Sequence, residues 1–409
     1  MKIDIDFVRS QFPAFSVDAL EGWAFFENAG GSYPCKQVVN RLTDFYTNNK
    51  VQPYYPYPAS THAGKLMDSS YRRMAAYLNV KPSEIHFGPS TTQNVYVLAN
   101  AMRPMWEDGD EIIVSCQDHE ANAGAWRRLK DRGIKVIEWH VDASSGVLTF
   151  ESLNELLSNR TKLVAFPHCS NVIGHINPVK EISAKAHAVG ALSVVDGVGY
   201  APHGFPDLED LGADVYLFSL YKTFGPHLGL MYISTNLMHK MTNQSHFFKE
   251  GNTRSMFTPA GPDHAQIAAV NGILDYFDAL YAHHFETDDK PLEKNNRLRQ
   301  LFREHESDLL KHLLDFLRSR DDLEIVGPEV VEERLPIVSI IPKNKSIKAV
   351  YDTLTEHQIM AGFGDFYAVR PLMDMDIPLD PGVLRLSFVH YTSKAEIDQL
   401  ISGIRKALD

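Results

Sequence analysis

Cysteine is scarce in this chain, and its placement excludes two common structural uses. The 409 residues include only Cys35, Cys116 and Cys169, with no CxxC pair and no histidine-rich motif beside them. A disulfide framework or a structural zinc site needs thiols at closer and more regular spacing. We therefore expect a reducing compartment, no metal centre, and three packed or loop thiols rather than nucleophiles.

Long apolar runs and clustered positive charge are lacking as well. No run approaches the roughly 20 apolar residues that a membrane span requires. The start, MKIDIDFVRSQFPAF, has two early acids and no apolar signal core. The net charge is -12 and the lysines and arginines are dispersed, whereas a protein that binds a phosphate backbone needs a basic surface. The chain is therefore expected to be cytoplasmic and to bind neither membrane nor nucleic acid.

The composition is that of an ordinary globular protein, with 44% hydrophobic and 22% charged residues. The length is sufficient for one large domain and a second, smaller one, each with its own core. No internal repeat or low-complexity linker interrupts the chain.

The middle of the chain alternates short apolar runs with helical or loop segments, which predicts an α/β sheet. Polar residues follow the ends of these runs: Asn171, Asp196 and Lys222. Ligands of open α/β sheets bind at the carboxyl ends of the strands, so these three residues are candidates for chemistry. The predicted strands are Leu163–Phe166, Leu192–Val195, Val215–Phe218 and Leu228–Ile233.

The combination of a lysine and an aspartate at these strand ends suggests pyridoxal phosphate. A lysine amine can form a Schiff base with the cofactor aldehyde, and a buried carboxylate beside the pyridine nitrogen keeps that nitrogen protonated. Taken singly, Asp196 could cap a helix and Lys222 could be a solvated loop lysine. The series SNVIG, VVDG and SLYKTFGPHLG, in that order and all at predicted strand ends, favours the cofactor site.

These segments resemble the class V aminotransferase family of fold-type I pyridoxal-phosphate enzymes, in particular its cysteine desulfurase and selenocysteine lyase branch. The matching segments are HCSN, DGVG and SLYK followed by TFGP, and the resemblance runs from about Phe26 to the C-terminus. It implies a large domain with a mainly parallel seven-stranded sheet and a smaller α+β C-terminal domain. We expect residues 20–288 to form the pyridoxal-phosphate-binding domain, and residues 1–19 with 289–409 to form the small domain.

A phosphate site is predicted at the segment IHFGPSTTQNVYVLA, which reads as a strand, a turn and a helix that begins near Thr91. Hydroxyls and free N–H groups at a helix start bind anions, so Thr91 and Thr92 are expected to hold the cofactor phosphate; a plain helix cap is the alternative. The resemblance implies that Ser219 and Tyr221 join them, with the tyrosine in place of the family's histidine.

The resemblance also assigns residues to the cofactor ring. His119, in the segment DHEAN, matches the histidine that stacks on the pyridine ring, and a pKa close to neutral would let it move protons. Gly199 stands where desulfurases usually have a glutamine that contacts the phenolic oxygen. Asn171 is then the expected donor to that oxygen.

Substrate contacts are expected from two regions far apart in sequence. Arg385, in the strand VLRLSF, matches the family arginine that binds the substrate α-carboxylate, although a strand arginine could instead form a structural ion pair. The loop from Asn28 to Ser32 is expected to line the substrate side, because Gly30 lets the backbone approach a ligand. A tight turn that needs positive φ is the alternative there.

Two further loops are candidates for the mouth of the site. The segment from Val51 to Ser60 is rich in Pro and Tyr and is predicted to be neither helix nor central strand, with its tyrosines as candidate substrate contacts. Arg254 is a candidate anion ligand. By resemblance, Gly261 of the PAGPDH loop presents its backbone N–H to the phosphate of a partner subunit, which implies a homodimer with shared active sites.

One segment departs from the family. Cysteine desulfurases carry a nucleophilic cysteine in the loop that corresponds to Ala361–Leu372, and this chain has no cysteine after Cys169. Tyr367 or Asp365 is expected to occupy that space, with Arg370 as a candidate second carboxylate ligand. The predicted function is a lyase that breaks a C–S or C–Se bond of a small amino acid without a persulfide cysteine. An aminotransferase, an amino-acid epimerase and a non-catalytic binding protein of the same fold are the alternatives.

Overall fold

Thirteen strands and fourteen α-helices form in residues 2–409, the part of the chain described by this computed structural model. The strands are β1 (Ala24–Phe25), β2 (Ile85–Gly88), β3 (Glu111–Ser115), β4 (Lys135–Trp139), β5 (Thr161–Pro167), β6 (Leu192–Asp196), β7 (Val215–Ser219), β8 (Gly229–Ile233), β9 (Leu323–Val326), β10 (Ile337–Pro342), β11 (Ile359–Met360), β12 (Gly362–Gly364) and β13 (Val383–Ser387).

The helices alternate with these strands through the first two thirds of the chain and flank the last five strands. They are α1 (Ile5–Arg9), α2 (Lys36–Asn48), α3 (Pro58–Tyr77), α4 (Thr91–Met102), α5 (Gly124–Arg127), α6 (Phe150–Leu156), α7 (Val179–Ala188), α8 (Leu208–Leu211), α9 (Thr235–Met238), α10 (His264–His284), α11 (Pro291–Arg318), α12 (Ile347–Glu356), α13 (Val369–Asp374) and α14 (Lys394–Leu408).

A seven-stranded sheet in the order β2-β8-β7-β6-β5-β3-β4 organises the larger part of the chain. All neighbouring pairs are parallel except those that β8 makes with β2 and β7, which are antiparallel. The predicted mainly parallel seven-stranded sheet is confirmed. Its parallel strands end at one edge, and that edge carries the polar residues singled out in the sequence.

Both faces of this sheet are buried, which explains why its strands read as continuous apolar runs. In β5, Leu163 and Ala165 face one apolar core while Val164 and Phe166 face another. The side chains alternate because successive residues of a strand point to opposite faces.

A second, antiparallel sheet in the order β12-β13-β10-β9 lies in the C-terminal third and packs on its own core with α11, α12 and α14. The predicted smaller α+β unit is therefore present. The short parallel pair of β1 and β11 joins the start of the chain to this part. The exact domain boundaries stay a prediction.

Proline determines the local structure at two places, and the second of them differs from the expectation. The N-terminal helix ends at Arg9 and is followed by single 3₁₀ turns, since Pro13 cannot continue a helix that needs its N–H. The tyrosine- and proline-rich segment is a loop only as far as Tyr57, because Pro58 begins α3 at the first helical position, where a missing N–H has no cost.

No helix among residues 2–409 combines the length and apolar character needed to cross a bilayer.

Candidate active site

The carboxyl edge of the large sheet contains a cavity of about 220 Å³. Eight of the nine residues predicted to bind the cofactor line it: Thr91, Thr92, His119, Asn171, Asp196, Ser219, Tyr221 and Lys222. These residues come from segments more than 100 positions apart, so the fold brings the sequence-predicted set together.

Lys222 lies just after β7, in a short 3₁₀ turn, and is 9% exposed. Burial and the nearby Arg385 charge lower the pKa of its amine to about 8, against the opposing effect of Asp196 and Glu27. A substantial fraction of the amine is therefore neutral near physiological pH, as a nucleophile requires.

Asp196 ends β6 and is 4% exposed. Its Oδ1 accepts a hydrogen bond from the Val198 N–H at 2.8 Å. Burial raises the pKa of this carboxyl to about 6, so it is ionised at neutral pH and can stabilise a positive charge in the cavity.

Asp118 is a second buried carboxyl group in the same cavity that sequence reasoning missed. Its Oδ2 accepts from Asn122 Nδ2 at 2.8 Å, while Oδ1 has no partner among the described residues. Burial and the Asp196 charge hold the pKa of Asp118 well above its ordinary value. Its position three residues after β3 was the signal available in the sequence.

The start of α4 forms one end of the cavity, where Ser90, Thr91 and Thr92 line it. Ser90 caps the helix by accepting from the Gln93 N–H at 3.2 Å, and the hydroxyls of Thr91 and Ser219 are 2.8 Å apart. Tyr221 stacks on His227 with ring centroids 4.8 Å apart. His227, from the GPHLG turn, lines the cavity and was not identified from the sequence.

The approach of β8 to this helix start depends on Gly229. A Cβ there would lie 2.5 Å from the Ser90 carbonyl carbon and 2.6 Å from the Thr91 nitrogen. Because both are backbone atoms, we expect Gly229→Ala to lower the free energy of unfolding by about 1–3 kcal/mol and to weaken retention of a phosphate ligand. Thermal and urea unfolding measure the first effect, and equilibrium dialysis of the ligand measures the second. Gly31→Ala is the control: its Cβ would meet the Tyr221 ring at an ordinary 3.5 Å, and an equal loss of stability there would contradict this account.

His119 lines the cavity as predicted, but its charge state differs from the expectation. Burial, with Lys222 and Arg385 adding positive charge, lowers its pKa to about 3, so the expected pKa close to neutral is wrong. Its Nδ1 accepts from the Ala121 N–H at 2.9 Å, which leaves the ring proton on Nε2. The ring is suited to stacking as a neutral group.

Arg385, in β13, is 2% exposed and lies beside the cavity. Its Nη1 donates to the Asn171 carbonyl at 3.1 Å and its Nη2 to Glu27 Oε1 at 2.5 Å. The Phe366 ring covers the guanidinium, with Cζ 3.7 Å from the ring centroid. The roles of Glu27 and Phe366 beside Arg385 were not predicted. A single acid after a two-residue strand and a single phenylalanine in a loop form no sequence pattern that indicates a site.

The region expected to contact the phenolic oxygen is formed by Asn171 and Gly199. Asn171 Nδ2 donates to the Phe366 carbonyl at 3.0 Å, and its buried Oδ1 has no partner among residues 2–409. A Cβ at Gly199 would lie 2.6 Å from the Cys169 carbonyl oxygen. The family's glutamine therefore cannot be accommodated at this position without a backbone shift.

The side chain of Asn28 connects its own loop to β13 and to Tyr391 and does not line the cavity. Asn28 Nδ2 donates to the carbonyls of Phe25 at 3.3 Å and Ser387 at 3.2 Å, and Oδ1 accepts from the Tyr391 hydroxyl. Gly30 does not have positive φ; a Cβ there would lie 2.7 Å from Glu27 Oε1. The missing side chain at Gly30 makes room for the Glu27 carboxylate.

The segment that replaces the desulfurase cysteine loop is held in place at two points. The carbonyl of Phe366 accepts from Asn171, and that of Tyr367 accepts from the Glu120 N–H at 2.9 Å. Tyr367 is 72% exposed, and its ring centroid lies 5.4 Å from that of His119. Asp365 accepts from the Tyr367 N–H at 2.8 Å and so shapes the loop.

Outside this loop is a more open cavity of about 790 Å³ that shares Thr92, His119 and Tyr221 with the inner one. Arg370 lines it, but its Nη1 donates to Glu138 Oε1 at 3.1 Å. Sulfur, carboxylate and imidazole ligand atoms of Cys116, Glu138 and His140 lie within 4.8 Å of one another nearby. Glu138 pairs with Arg127 and Arg370, which favours an ion-pair cluster over a metal site at this position.

The remaining candidates, Arg254, Tyr54 and Gly261, do not line the Lys222 cavity of their own chain. Arg254 donates to Asp68 at 2.6 Å and to the Tyr54 hydroxyl at 2.8 Å. These contacts hold the Tyr54 ring beside Arg254. Gly261 lines a second, largely apolar cavity of about 660 Å³, which shares His227 with the cavity that contains Lys222.

The residues in the inner cavity fit pyridoxal phosphate. The hydroxyls at the start of α4 match a phosphate, Asp196 matches a basic ring nitrogen, and Lys222 matches an aldehyde. The unpaired Oδ1 atoms of Asn171 and Asp118 are buried polar atoms that a polar ligand can satisfy.

Comparison with known proteins identifies one family throughout the chain. The description "Aminotransferase class-V" matches residues 24–297 and 297–400. The aminotransferase-like protein FGM3 of Gibberella zeae is 33% identical, over 99% of this chain and 98% of the relative. The cysteine desulfurase-like protein ustD of Aspergillus flavus is 30% identical, over 98% of this chain and 90% of its own length. The cysteine desulfurase of Thermococcus onnurineus NA1 in its apo structure superposes with a TM-score of 0.86 at 22% identity, over 100% of this chain and 98% of that one.

Proposed function

The chain belongs to the class V aminotransferase family, whose members depend on pyridoxal phosphate, and from that premise we propose that it is a lyase that breaks a C–S or C–Se bond at Cβ of a small amino acid without forming a protein persulfide. The observation that supports this most directly is the joint burial of Lys222 and Asp196 in one cavity beside Arg385, in a chain whose replacement loop has no cysteine.

When bound, the cofactor supplies an aldehyde that condenses with amines and a protonated ring that accepts electrons from Cα. Arg385 holds the substrate α-carboxylate in this proposal. The Lys222 amine removes the proton from Cα, since its lowered pKa leaves part of it neutral. Asp196 stabilises the protonated ring nitrogen through its negative charge.

Residues around the ring restrict its position. Thr91, Ser219 and Tyr221 would hold the phosphate, and the neutral His119 ring would stack on the cofactor ring. The loop of Phe366 and Tyr367 would limit the entry of water from the outer cavity. Residues that restrict the cofactor in this way would also orient the bound substrate relative to the Lys222 amine, which favours proton removal by that amine.

The thiols of this chain are unsuited to accept sulfur. Cys35, Cys116 and Cys169 are at most 2% exposed, and burial raises the pKa of each to about 12. A thiol with so high a pKa is almost entirely protonated at neutral pH and is a poor nucleophile. In the proposed reaction the sulfur or selenium therefore leaves with the electrons of its bond to Cβ and is released as a small product.

The test is product analysis of the purified holoenzyme with L-cysteine, L-cystine and L-selenocysteine. We expect release of sulfide or selenide, or of a small persulfide from L-cystine, together with pyruvate and ammonia, and no added sulfur on the intact protein by mass spectrometry. A persulfide on any of the three cysteines would contradict the proposal. Turnover only with an added keto acid would instead indicate an aminotransferase, and exchange of the α-proton without net product would indicate an epimerase.

We also propose that the active form is a homodimer with shared active sites. The position of Gly261 supports this, because it does not line the Lys222 cavity of its own chain and lines instead a cavity that includes Phe257 and Pro262. The exposed rings of Phe247 and Phe248 precede the same loop.

A further inference from the structure

The carboxylate of Glu27 contacts the arginine that is expected to bind the substrate. Arg385 Nη2 donates to Glu27 Oε1 at 2.5 Å across 358 positions of sequence. The Arg385 side chain is 3% exposed and the Glu27 side chain is 27% exposed, although Oε2 of Glu27 is a buried atom. The contact is thus between a buried arginine and a carboxylate at the end of a partly exposed side chain.

The space for the Glu27 carboxylate is formed by two residues without side chains. A Cβ at Gly30 would lie 2.7 Å from Oε1, and a Cβ at Gly362 would lie 2.9 Å from Oε2. Oε2 itself and Arg385 Nε have no partner among the described residues. The carboxylate therefore uses only part of the hydrogen-bonding capacity of the guanidinium.

Other groups restrict how a second carboxylate could reach the same guanidinium. The Asn171 carbonyl already accepts from Nη1, and the Phe366 ring covers one face. Two carboxylates around one buried arginine would leave an uncompensated negative charge, which is costly where little water is present.

The pair also lies within electrostatic range of the reacting amine. Arg385 lowers the pKa of Lys222 and Glu27 raises it. A negative charge that stays on Glu27 therefore affects the electrostatic potential in the part of the cavity that the substrate must enter.

We propose that Glu27 is a resident counter-ion of Arg385 that the substrate α-carboxylate displaces, so that Glu27 sets the affinity of the enzyme for amino acids. This rests on the proposed function, since it takes Arg385 as the α-carboxylate ligand. Glu27 is then a specificity-determining residue: a strong incoming carboxylate replaces it, and an amine without a carboxylate does not.

The experiment compares L-alanine with ethylamine, which is the same molecule without its carboxylate, by absorbance titration of the holoenzyme. In the Glu27→Gln variant the amide keeps the size of the side chain and removes its charge. We expect Kd for L-alanine to fall about tenfold, with Kd for ethylamine unchanged. Stabilisation by acetate in thermal unfolding, which needs no chemistry at Lys222, is expected to increase in the same variant.

Two variants complete the design. Glu27→Asp withdraws the carboxylate by one methylene and is expected to give an intermediate Kd. Asp131→Asn removes a negative charge from the outer cavity without touching Arg385 and is expected to leave both Kd values unchanged. Equal Kd values in wild type and Glu27→Gln, or weaker L-alanine binding in Glu27→Gln, would overturn the inference, since the latter would mean that Glu27 positions Arg385. A holoenzyme with no visible absorbance and no response to any amine would instead overturn the proposed function.

Discussion

Replacement of Lys222 by alanine is expected to abolish covalent attachment of the cofactor and to lower kcat by about a thousandfold or more. The amine is buried in the cavity beside Asp196, and no other lysine lines that cavity, so no neighbouring group can take its place. Borohydride treatment of the native protein, followed by peptide mass spectrometry, should label Lys222 in the wild type and leave the variant unlabelled. Lys180→Ala is the matched control, because Lys180 is exposed and pairs with Asp210 at 2.5 Å. The Lys180→Ala variant should be labelled at Lys222 and should be fully active.

The same amine should give a characteristic pH dependence. Its pKa is lowered to about 8 by burial, so below that pH most of it is the ammonium ion, which cannot attack an aldehyde. The rate at which the apoprotein captures pyridoxal phosphate should rise about tenfold per pH unit up to about pH 8 and then level off. A label on a different lysine, or a capture rate that rises only near the ordinary lysine pKa, would contradict the assignment.

Replacement of Asp196 by asparagine is expected to lower kcat/KM between about a hundredfold and a thousandfold, or about 3–4 kcal/mol. The amide lacks the charge that stabilises a protonated ring nitrogen, but its oxygen can still accept from the Val198 N–H. We therefore expect unchanged thermal unfolding and a shifted absorbance spectrum along with the loss of activity.

The control for this prediction is the same change at the other buried carboxyl group. Burial and the Asp196 charge raise the pKa of Asp118, which favours the neutral form of this carboxyl group and lowers its contribution of negative charge. Asp118→Asn should cost less than about tenfold in kcat/KM. Comparable losses in the two variants would show that the role is not specific to Asp196, and full activity of Asp196→Asn would exclude its assigned function.

The sequence identified the groups that follow strand ends, because apolar runs and the polar residue after each run are local patterns. Asp196, Lys222 and the start of α4 at Thr91 were predicted in this way and lie at the expected edge of the sheet. Contacts between distant segments could not be predicted. The ion pair of Glu27 and Arg385 depends on an isolated parallel β-bridge that places Glu27 beside Ser387. Nothing in the sequence around either residue indicates that the two are in contact.

Charge states could not be predicted from the sequence, because burial and charges from distant segments set them together. Burial and Arg385 lower the pKa of the Lys222 amine. Burial, with Lys222 and Arg385 adding positive charge, lowers the pKa of His119 to about 3, and the approach of these two residues to His119 has no local signal in the sequence. Pro58 shows the same limit at the backbone: the tyrosine-rich run predicted a loop, whereas the proline begins a helix.

The loop of Phe366 and Tyr367 is anchored to Asn171 and to the Glu120 backbone rather than free at its ends. A loop that is held at two points and has no cysteine carries no group that could take sulfur to a docked protein acceptor. In the proposed reaction we therefore expect the product to diffuse into bulk solution, where a soluble small-molecule trap, and not a protein partner, intercepts it.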